Sequence, residues 1–125
     1  MSKRILIVDD EKEILDILDK KLSLLGYQVI KMASGREAVE KTQKYLPDLV
    51  LMDIMIPDID GPEAVRILQD DPVTKNIPIL FLSGIIAKDE GPSSSITVGG
   101  IHYPTLGKPF TAQELLDKIN EIFNH

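Results

Sequence analysis

Five polar residues stand where apolar segments of the chain end, and their chemical types fit together. The acids are Asp9, Asp10 and Asp53, the hydroxyl belongs to Ser83, and the cation is Lys108. If the apolar segments are parallel strands, their carboxyl ends meet at the sheet edge where open α/β sheets bind ligands. Three carboxylates placed together repel one another and stay anionic only with a cation between them. This pattern predicts a hard divalent ion, and Mg²⁺ fits best because water and phosphate can complete its octahedron.

The segments before these residues have the composition of strands buried on both faces, since they are short, wholly apolar runs rich in β-branched residues. Helical periodicity begins at Lys12, with Gly26 as a C-terminal cap, and it resumes after later polar loops. Strands that alternate with amphipathic helices predict a parallel α/β sheet covered on both faces. The predicted strands are Arg4–Val8, Gln28–Met32, Leu49–Met52 and Ile79–Leu82.

The last third of the chain is less regular. Glycine, proline and serine interrupt any helical pattern between residues 91 and 100, which predicts a loop or one short helix. Tyr103–Leu106 has the composition of a short strand, and Pro104 would be tolerated in it only at a sheet edge. Thr111 and Glu114 match a capping box, which predicts a closing helix.

Length and composition limit the classes of protein and partner. A chain of 125 residues can bury one core, so we expect a single domain over residues 1–125. The absence of cysteine excludes disulfides and thiolate metal sites. The net charge of −6 disfavours nucleic acid as a partner, and no apolar stretch is long enough to cross a membrane. We therefore expect a cytoplasmic protein, monomeric or weakly dimeric, whose partners are proteins and small ligands.

Four segments of the chain together resemble the response-regulator receiver domain of two-component signalling: RILIVDDE, LVLMDIMIPDIDG, PILFLSG and KPF. Each motif alone is weak, but their order and their places at strand ends make the resemblance specific over nearly the whole chain. It implies a doubly wound, five-stranded parallel sheet in the flavodoxin-like order 2-1-3-4-5, with an irregular or shortened fourth helix. Because the closing helix runs almost to His125, we expect a stand-alone receiver domain.

The resemblance implies a role for each member of the acidic set. Asp53 would be the nucleophile that takes a phosphoryl group from a phosphohistidine or a small phosphodonor. Asp10 would bind Mg²⁺ directly and Asp9 largely through a coordinated water. The backbone carbonyl of Met55 and the carboxylate of Asp53 would complete the metal ligands. The metal would neutralise charge on the transferring phosphoryl group.

The same resemblance implies that Ser83 and Lys108 contact the phosphoryl oxygens, one through its hydroxyl and the other through its ammonium group. The Lys108–Pro109 peptide bond would be cis, which would aim the ammonium group at the site. Taken singly, every site residue also fits an ordinary strand end, turn or surface lysine. Their convergence at one sheet edge is what favours the functional interpretation.

Some residues depart from the family pattern. The position three before the lysine, usually aromatic, holds Thr105, and Tyr103 could share its face by strand alternation. We expect residues 88–101 to form a mobile loop that orders on phosphorylation or on partner binding. Met55 and Ile85 are apolar where the family often orients an attacking water, so we expect the phosphorylated form to hydrolyse slowly.

The predicted function is that of a phosphoacceptor in a two-component phosphorelay. A sensor histidine kinase or a histidine phosphotransfer protein would supply the phosphoryl group, and an unidentified target protein would bind the modified domain. The alternative is a receiver-like docking module that switches without phosphorylation. A turnover enzyme built on Asp53 is disfavoured because Met55 offers no acid or base to a leaving group. We expect only the domain's own phosphorylation and its slow autodephosphorylation.

Overall fold

The computed structural model describes residues 2–84 and 95–124, and strands and helices alternate along most of this length. Strands form at all the apolar runs singled out in the sequence, and the closing helix forms where the capping box predicts it. The strands are β1 (Arg4–Val8), β2 (Gln28–Met32), β3 (Leu49–Asp53), β4 (Ile79–Ser83), β5 (Ser95–Val98) and β6 (Ile101–Gly107). The helices are α1 (Lys12–Leu24), α2 (Gly35–Tyr45), α3 (Gly61–Gln69) and α4 (Ala112–Phe123).

The strands form one sheet of six in the order β2-β1-β3-β4-β6-β5. Strands β2, β1, β3, β4 and β6 pair in parallel with their neighbours. This confirms the parallel flavodoxin-like order 2-1-3-4-5, with β6 in the fifth place. The predicted count of five is short by one, because β5 pairs with β6 in the antiparallel sense at the end of the sheet.

A two-residue turn joins the extra strand to its neighbour. Gly99 and Gly100 have φ angles of 55° and 82°, and two consecutive positive φ angles suit the turn whose twist matches that of a hairpin. The expectation of a loop or short helix over 91–100, and of a mobile loop over 88–101, is therefore wrong from residue 95 onward. The rest of that expectation, like that of an irregular or shortened fourth helix, concerns residues 85–94, which lie outside the described residues.

Pro104 does not lie on an edge strand, contrary to the prediction, because β5 covers β6. Hydrogen-bonded and non-hydrogen-bonded pairs alternate along an antiparallel ladder. Counted from the pair Val98 and Ile101 that closes the turn, the pair of Ser95 with Pro104 falls at a non-hydrogen-bonded position. Pairing with β4 on the other side begins only at Thr105. The missing N–H of proline therefore costs the β5 ladder no hydrogen bond, and the pairing with β4 starts at the next residue.

Side-chain caps determine where three of the helices begin. Helices α2 and α3 start after Ser34 and Asp60, whose side-chain oxygens accept the amide three residues on at 3.3 and 2.9 Å. Helix α4 begins with the predicted capping box, in which Thr111 and Glu114 exchange two hydrogen bonds of 3.0 Å. The α3 cap fixes the far end of the loop that leaves β3, and this loop borders the polar end of the sheet.

Apolar side chains pack against both faces of the sheet. Leu6 and Val8 of β1 belong to the core under α2 and α3, whereas Ile5 and Ile7 belong to the core under α1 and α4. All four side chains are fully buried. With helices on both faces, the carboxyl ends of the strands are where an open α/β sheet of this kind binds its ligand. None of the helices within 2–84 and 95–124 combines the length and the apolar character of a membrane span.

Candidate functional site

The polar residues singled out in the sequence lie at the carboxyl ends of four neighbouring strands. Asp9 and Asp10 follow β1, and Asp53 is the last residue of β3. Ser83 is the last residue of β4, and Lys108 follows the end of β6. These strands are adjacent in the sheet and parallel, so the side chains share one edge. The structure thus brings together the residues that the sequence placed at one site.

Three carboxylates form the acidic part of this site. Asp9, Asp10 and Asp53 each offer a carboxylate oxygen, and these oxygens all lie within 4.8 Å of one another. Asp9 is fully buried and Asp53 is 6% exposed, while Asp10 is exposed. Oxygen ligands of this kind suit Mg²⁺, which binds through few carboxylates and keeps several waters. Buried carboxylates at this spacing fit a divalent cation better than they fit an ordinary solvated strand end.

The ammonium group of Lys108 lies between the two buried carboxylates. Its Nζ atom is 2.7 Å from Asp9 Oδ2 and 3.0 Å from Asp53 Oδ2. The Lys108 amide also donates to the Ser83 carbonyl oxygen at 2.9 Å, which ties the lysine to the end of β4. The Lys108–Pro109 peptide bond is cis, as the family resemblance implied. Lys108 is therefore part of the site and is not an ordinary surface lysine.

Burial and hydrogen bonding act in opposite directions on the pKa values of Asp53 and Lys108. Burial raises the pKa of Asp53, and the hydrogen bond and charge of Lys108 offset this only in part. For Lys108, burial alone would lower the pKa, but the hydrogen bonds to Asp9 and Asp53 outweigh it and raise the pKa above its usual range. One ammonium group thus contacts two of the three carboxylates, and the cluster keeps an excess of acidic groups. A further cation would relieve this repulsion.

The loop after β3 contacts the Asp53 carboxylate through a backbone amide. The Met55 amide donates to Asp53 Oδ1 at 3.2 Å, while the Met55 side chain is 66% exposed. At Gly61 a Cβ atom would lie 2.6 Å from the Asp53 carbonyl oxygen, so only glycine fits there. The Gly61 amide closes the loop by donating to the Ile54 carbonyl oxygen at 2.9 Å. The motif supplied Gly61, but sequence reasoning gave it no role, and only the close approach reveals one.

The remaining predicted residues are placed as follows. Ser83 is 1% exposed at the end of β4 and pairs in register with Gly107 of β6, just before the lysine. Asp9 Oδ1 accepts the Glu11 amide at 2.9 Å, which orients its second oxygen toward Lys108. The metal ligation expected of the Met55 carbonyl stays a prediction, as does the role of the Ser83 hydroxyl. Ile85 lies outside the described residues.

The position that usually holds an aromatic residue has an unusual environment. Thr105 is buried, and its Oγ1 atom has no hydrogen-bond partner within the described parts of the chain. Tyr103 packs edge-on against Phe81 with ring centroids 5.9 Å apart. Its hydroxyl oxygen accepts a hydrogen bond of 2.8 Å from Gln69 Nε2. Tyr103 and Thr105 are both buried, but whether Tyr103 replaces the missing aromatic residue stays open.

Comparison with known proteins supports the same interpretation. Residues 5–120 match the family model described as the response regulator receiver domain. The alkaline phosphatase synthesis transcriptional regulatory protein PhoP of Bacillus subtilis is 36% identical over 98% of this chain. The match covers 49% of PhoP, and a second Bacillus subtilis regulator is covered to 47%. The chain thus spans about half the length of these curated relatives.

Solved structures with the same fold cover the whole chain. A putative response regulator from Chloroflexus aurantiacus is 31% identical with a TM-score of 0.84, and the match covers 100% of both chains. The receiver domain of sensor histidine kinase PA1611 from Pseudomonas aeruginosa is 25% identical, again with a TM-score of 0.84 and full coverage of both chains. In that structure a magnesium ion is coordinated in the active site cleft.

Proposed function

Because this chain belongs to the family of response regulator receiver domains, we propose that it is a phosphoacceptor whose protein contacts change when Asp53 is phosphorylated. The observation that carries the proposal is the bridge that Lys108 Nζ makes between the buried carboxylates of Asp9 and Asp53, at 2.7 and 3.0 Å. An ammonium group held there is within reach of a phosphoryl oxygen on Asp53. A solvated strand end would not bury two acids around a lysine.

Asp53 acts as the nucleophile. A lone pair of its carboxylate oxygen forms the new P–O bond, while the P–N bond of a phosphohistidine breaks and its electron pair returns to the imidazole nitrogen. The product on Asp53 is an acyl phosphate. The Met55 amide, 3.2 Å from Asp53 Oδ1, leaves Oδ2 on the side of Lys108. This arrangement supports attack by Oδ2 on the incoming phosphorus.

Lys108 and Ser83 stabilise the charge of the transferring group. Lys108 exchanges its contact with the Asp53 carboxylate for a contact with a phosphoryl oxygen, and it needs to move little because the phosphoryl group is attached to that carboxylate. The Ser83 hydroxyl, at the end of the adjacent strand, donates to a second phosphoryl oxygen. Positioned donors of this kind account for most of the rate in phosphoryl transfer, where the protein does little covalent chemistry.

Asp9, Asp10 and Asp53 are the carboxylates that would hold Mg²⁺, together with the Met55 carbonyl. The spacing of the three acids supports this assignment, since their oxygens lie within 4.8 Å of one another. When bound, the metal would neutralise negative charge on the phosphoryl group as it transfers to Asp53. The magnesium in the cleft of the PA1611 receiver domain makes the same assignment reasonable here.

The phosphodonor is a sensor histidine kinase or a histidine phosphotransfer protein, and the modified domain binds an unidentified target protein in the cytoplasm. An apolar groove of about 490 Å³ beside Lys108 supports a protein donor. The side chains of Ile14, Ile17 and Phe110 line it, and Ile17 is 54% exposed. A protein that carries its phosphohistidine on a helix could bury apolar residues there while presenting the imidazole to Asp53.

The test is the intact mass of the protein after incubation with acetyl phosphate. We expect one phosphoryl group per chain with Mg²⁺, none with EDTA, and none in Asp53→Asn with or without Mg²⁺. Release of phosphate beyond one equivalent, at a rate far above that of the slow autodephosphorylation, would indicate a turnover enzyme. Loss of the acyl phosphate within seconds, without a phosphatase, would contradict the slow hydrolysis expected from the apolar Met55.

One observation favours the alternative of a docking module that switches without phosphorylation. Tyr103 of the hairpin contacts both Gln69 and Phe81 in the unmodified protein, so these contacts need no phosphorylation to form. If acetyl phosphate failed to label Asp53 in the presence of Mg²⁺, while a target protein bound the unmodified domain, the docking module would be the better account.

A further inference from the structure

The loop between Asp53 and α3 carries an aspartate that the phosphoacceptor chemistry leaves unused. Asp58 is exposed and has a φ angle of 63°, in the left-handed region that few residues other than glycine, asparagine and aspartate enter. Its Oδ1 atom accepts the Arg36 amide at 3.1 Å and also the amide of the next residue, Ile59. The Asp58 carboxylate therefore has a fixed position, set by its backbone conformation and by two backbone amides.

The partner of Asp58 is the start of α2. The first amides of a helix have no partner within the helix, and outside groups must satisfy them. At α2 the Gly35 amide donates to the Pro57 carbonyl oxygen at 3.2 Å, and the Arg36 amide donates to Asp58. A Cβ atom at Gly35 would overlap the Ile59 carbonyl oxygen, so loop and helix are in direct backbone contact. The middle of the loop is therefore anchored to α2.

The two ends of the same loop are anchored elsewhere. At its start, the Ile54 amide donates to the Leu82 carbonyl oxygen at 3.2 Å. At its end, Asp60 caps α3 by accepting the Glu63 amide at 2.9 Å. Between these ends, the Met55 amide donates to the Asp53 carboxylate, and Met55 is otherwise exposed to solvent. Asp58 thus lies three residues beyond Met55, between the two fixed ends of the loop, and its carboxylate ties this part of the loop to α2.

From these contacts we infer that Asp58 is a positioning residue for the phosphoacceptor site, and that it acts by fastening the Met55 backbone through α2. The inference rests on the proposed function, since it concerns the same acceptor and the same metal ligands. The carboxylate of Asp58 does not touch the phosphoryl group. It sets the direction of the Met55 amide toward Asp53, and of the Met55 carbonyl toward the cation.

Three substitutions of Asp58 distinguish the effect of its carboxylate from the effect of its backbone conformation. Asp58→Asn retains both an acceptor oxygen and the ability to adopt positive φ, so we expect it to resemble the original protein. Asp58→Gly retains only the conformation, and Asp58→Ala loses both. We expect the last two to lower the affinity for Mg²⁺ about tenfold, as removal of an outer-shell contact typically does. Ile119→Val, a fully buried position on the opposite face of the sheet, controls for lost stability.

The experiment titrates each unphosphorylated variant with Mg²⁺ and follows the amide resonance of Met55 by NMR, alongside the labelling rate with acetyl phosphate. The inference predicts weaker Mg²⁺ binding and slower labelling in Asp58→Gly and Asp58→Ala, with Asp58→Asn and Ile119→Val unchanged. Asp58→Gly behaving like the original protein would overturn it, as would equal losses in Ile119→Val. If the original protein were not labelled at all, the proposed function itself would fail. If all variants were labelled at the same rate, the positioning role of Asp58 would be wrong and the proposed function would stand.

Discussion

Asp9 and Asp53 form a charged end of the sheet, where Lys108 joins two buried carboxylates, whereas neutral contacts hold the β5–β6 hairpin. In the hairpin, the Tyr103 ring packs against β4 and its hydroxyl bonds to Gln69. Charged contacts respond to an added cation or phosphoryl group, and neutral packing does not. Two regions of one small domain can therefore be perturbed separately. Changes at the charged end should alter phosphorylation and its dependence on Mg²⁺, and changes in the hairpin should alter stability alone.

Substitution of the bridging lysine should have the largest effect. Lys108→Met leaves Asp9 and Asp53 buried without their shared cation, so we expect a loss of about 3 kcal/mol in the free energy of unfolding in EDTA. We also expect labelling by acetyl phosphate to slow about 100-fold, since a positioned donor is lost. Urea denaturation and labelling kinetics measure both.

Mg²⁺ should restore part of the lost stability, because it supplies another cation to the same carboxylates. The exposed Lys75 provides the matched control, and Lys75→Met should change neither quantity. If Lys108→Met had the same free energy of unfolding in EDTA as the original protein, the Lys108 bridge would contribute nothing to stability. The proposed difference between the charged end and the hairpin would then be wrong.

In the hairpin, the turn glycines should show a smaller effect with no change in chemistry. Both have positive φ, but only at Gly99 would a Cβ atom collide with the Gln69 side chain. We expect Gly99→Ala to cost about 2 kcal/mol and Gly100→Ala about 1 kcal/mol in the free energy of unfolding. The labelling rate should stay unchanged in both. Slower labelling in Gly99→Ala would show that the hairpin and the charged end are coupled.

Asp10→Asn should stabilise the protein when no metal is present. Asp10 adds a third negative charge within 4.8 Å of the other two, and the ammonium group of Lys108 contacts only Asp9 and Asp53. Removing that charge should raise the free energy of unfolding in EDTA by about 1 kcal/mol, as other changes at functional sites do. The same variant should no longer gain stability from Mg²⁺, which thermal denaturation with and without the metal would show. A loss of stability in EDTA would contradict the idea of net repulsion.

The smallest effect is expected at Thr105. Its buried hydroxyl has no partner in the part of the chain that the structure describes, and a buried polar group without a hydrogen bond is destabilising. Thr105→Val keeps the shape and removes that group, so we expect a gain of about 0.5 kcal/mol. Thr105→Ser retains the hydroxyl and loses a methyl group, and it should lose stability. A loss of stability in Thr105→Val would mean that the hydroxyl is hydrogen-bonded in solution.

The charged end could be predicted from the sequence because each of its residues stands directly beside a recognisable strand. Asp9 and Asp53 follow apolar runs directly, and parallel strands place their carboxyl ends at one edge whatever the details of the loops. The spacing could not reveal that Gly61 lies against the Asp53 carbonyl oxygen, or that Asp58 fastens the loop to α2. Those contacts depend on how distant backbones approach one another, and no pattern in the residue types records this.

The hairpin was missed although its signal is present. Gly99 and Gly100 are flanked by short segments rich in β-branched and aromatic residues, which is the pattern of a two-residue hairpin turn. The abundance of glycine and serine, together with the expected irregular fourth helix, instead favoured a loop or a short helix over residues 91–100. The expectation of an edge strand at Pro104 was wrong because β5 pairs with this residue at a position that needs no N–H, and the pairing with β4 starts at the next residue.

The most direct test is a crystal structure with Mg²⁺ and beryllium fluoride, a stable mimic of the phosphoryl group. The account predicts the mimic on an oxygen of Asp53, with Mg²⁺ about 2.1 Å from oxygens of Asp10 and Asp53. It also predicts that Lys108 Nζ and the Ser83 hydroxyl contact the fluorides. A metal bound elsewhere, or Lys108 still joining Asp9 to Asp53 beside an unmodified acceptor, would contradict it.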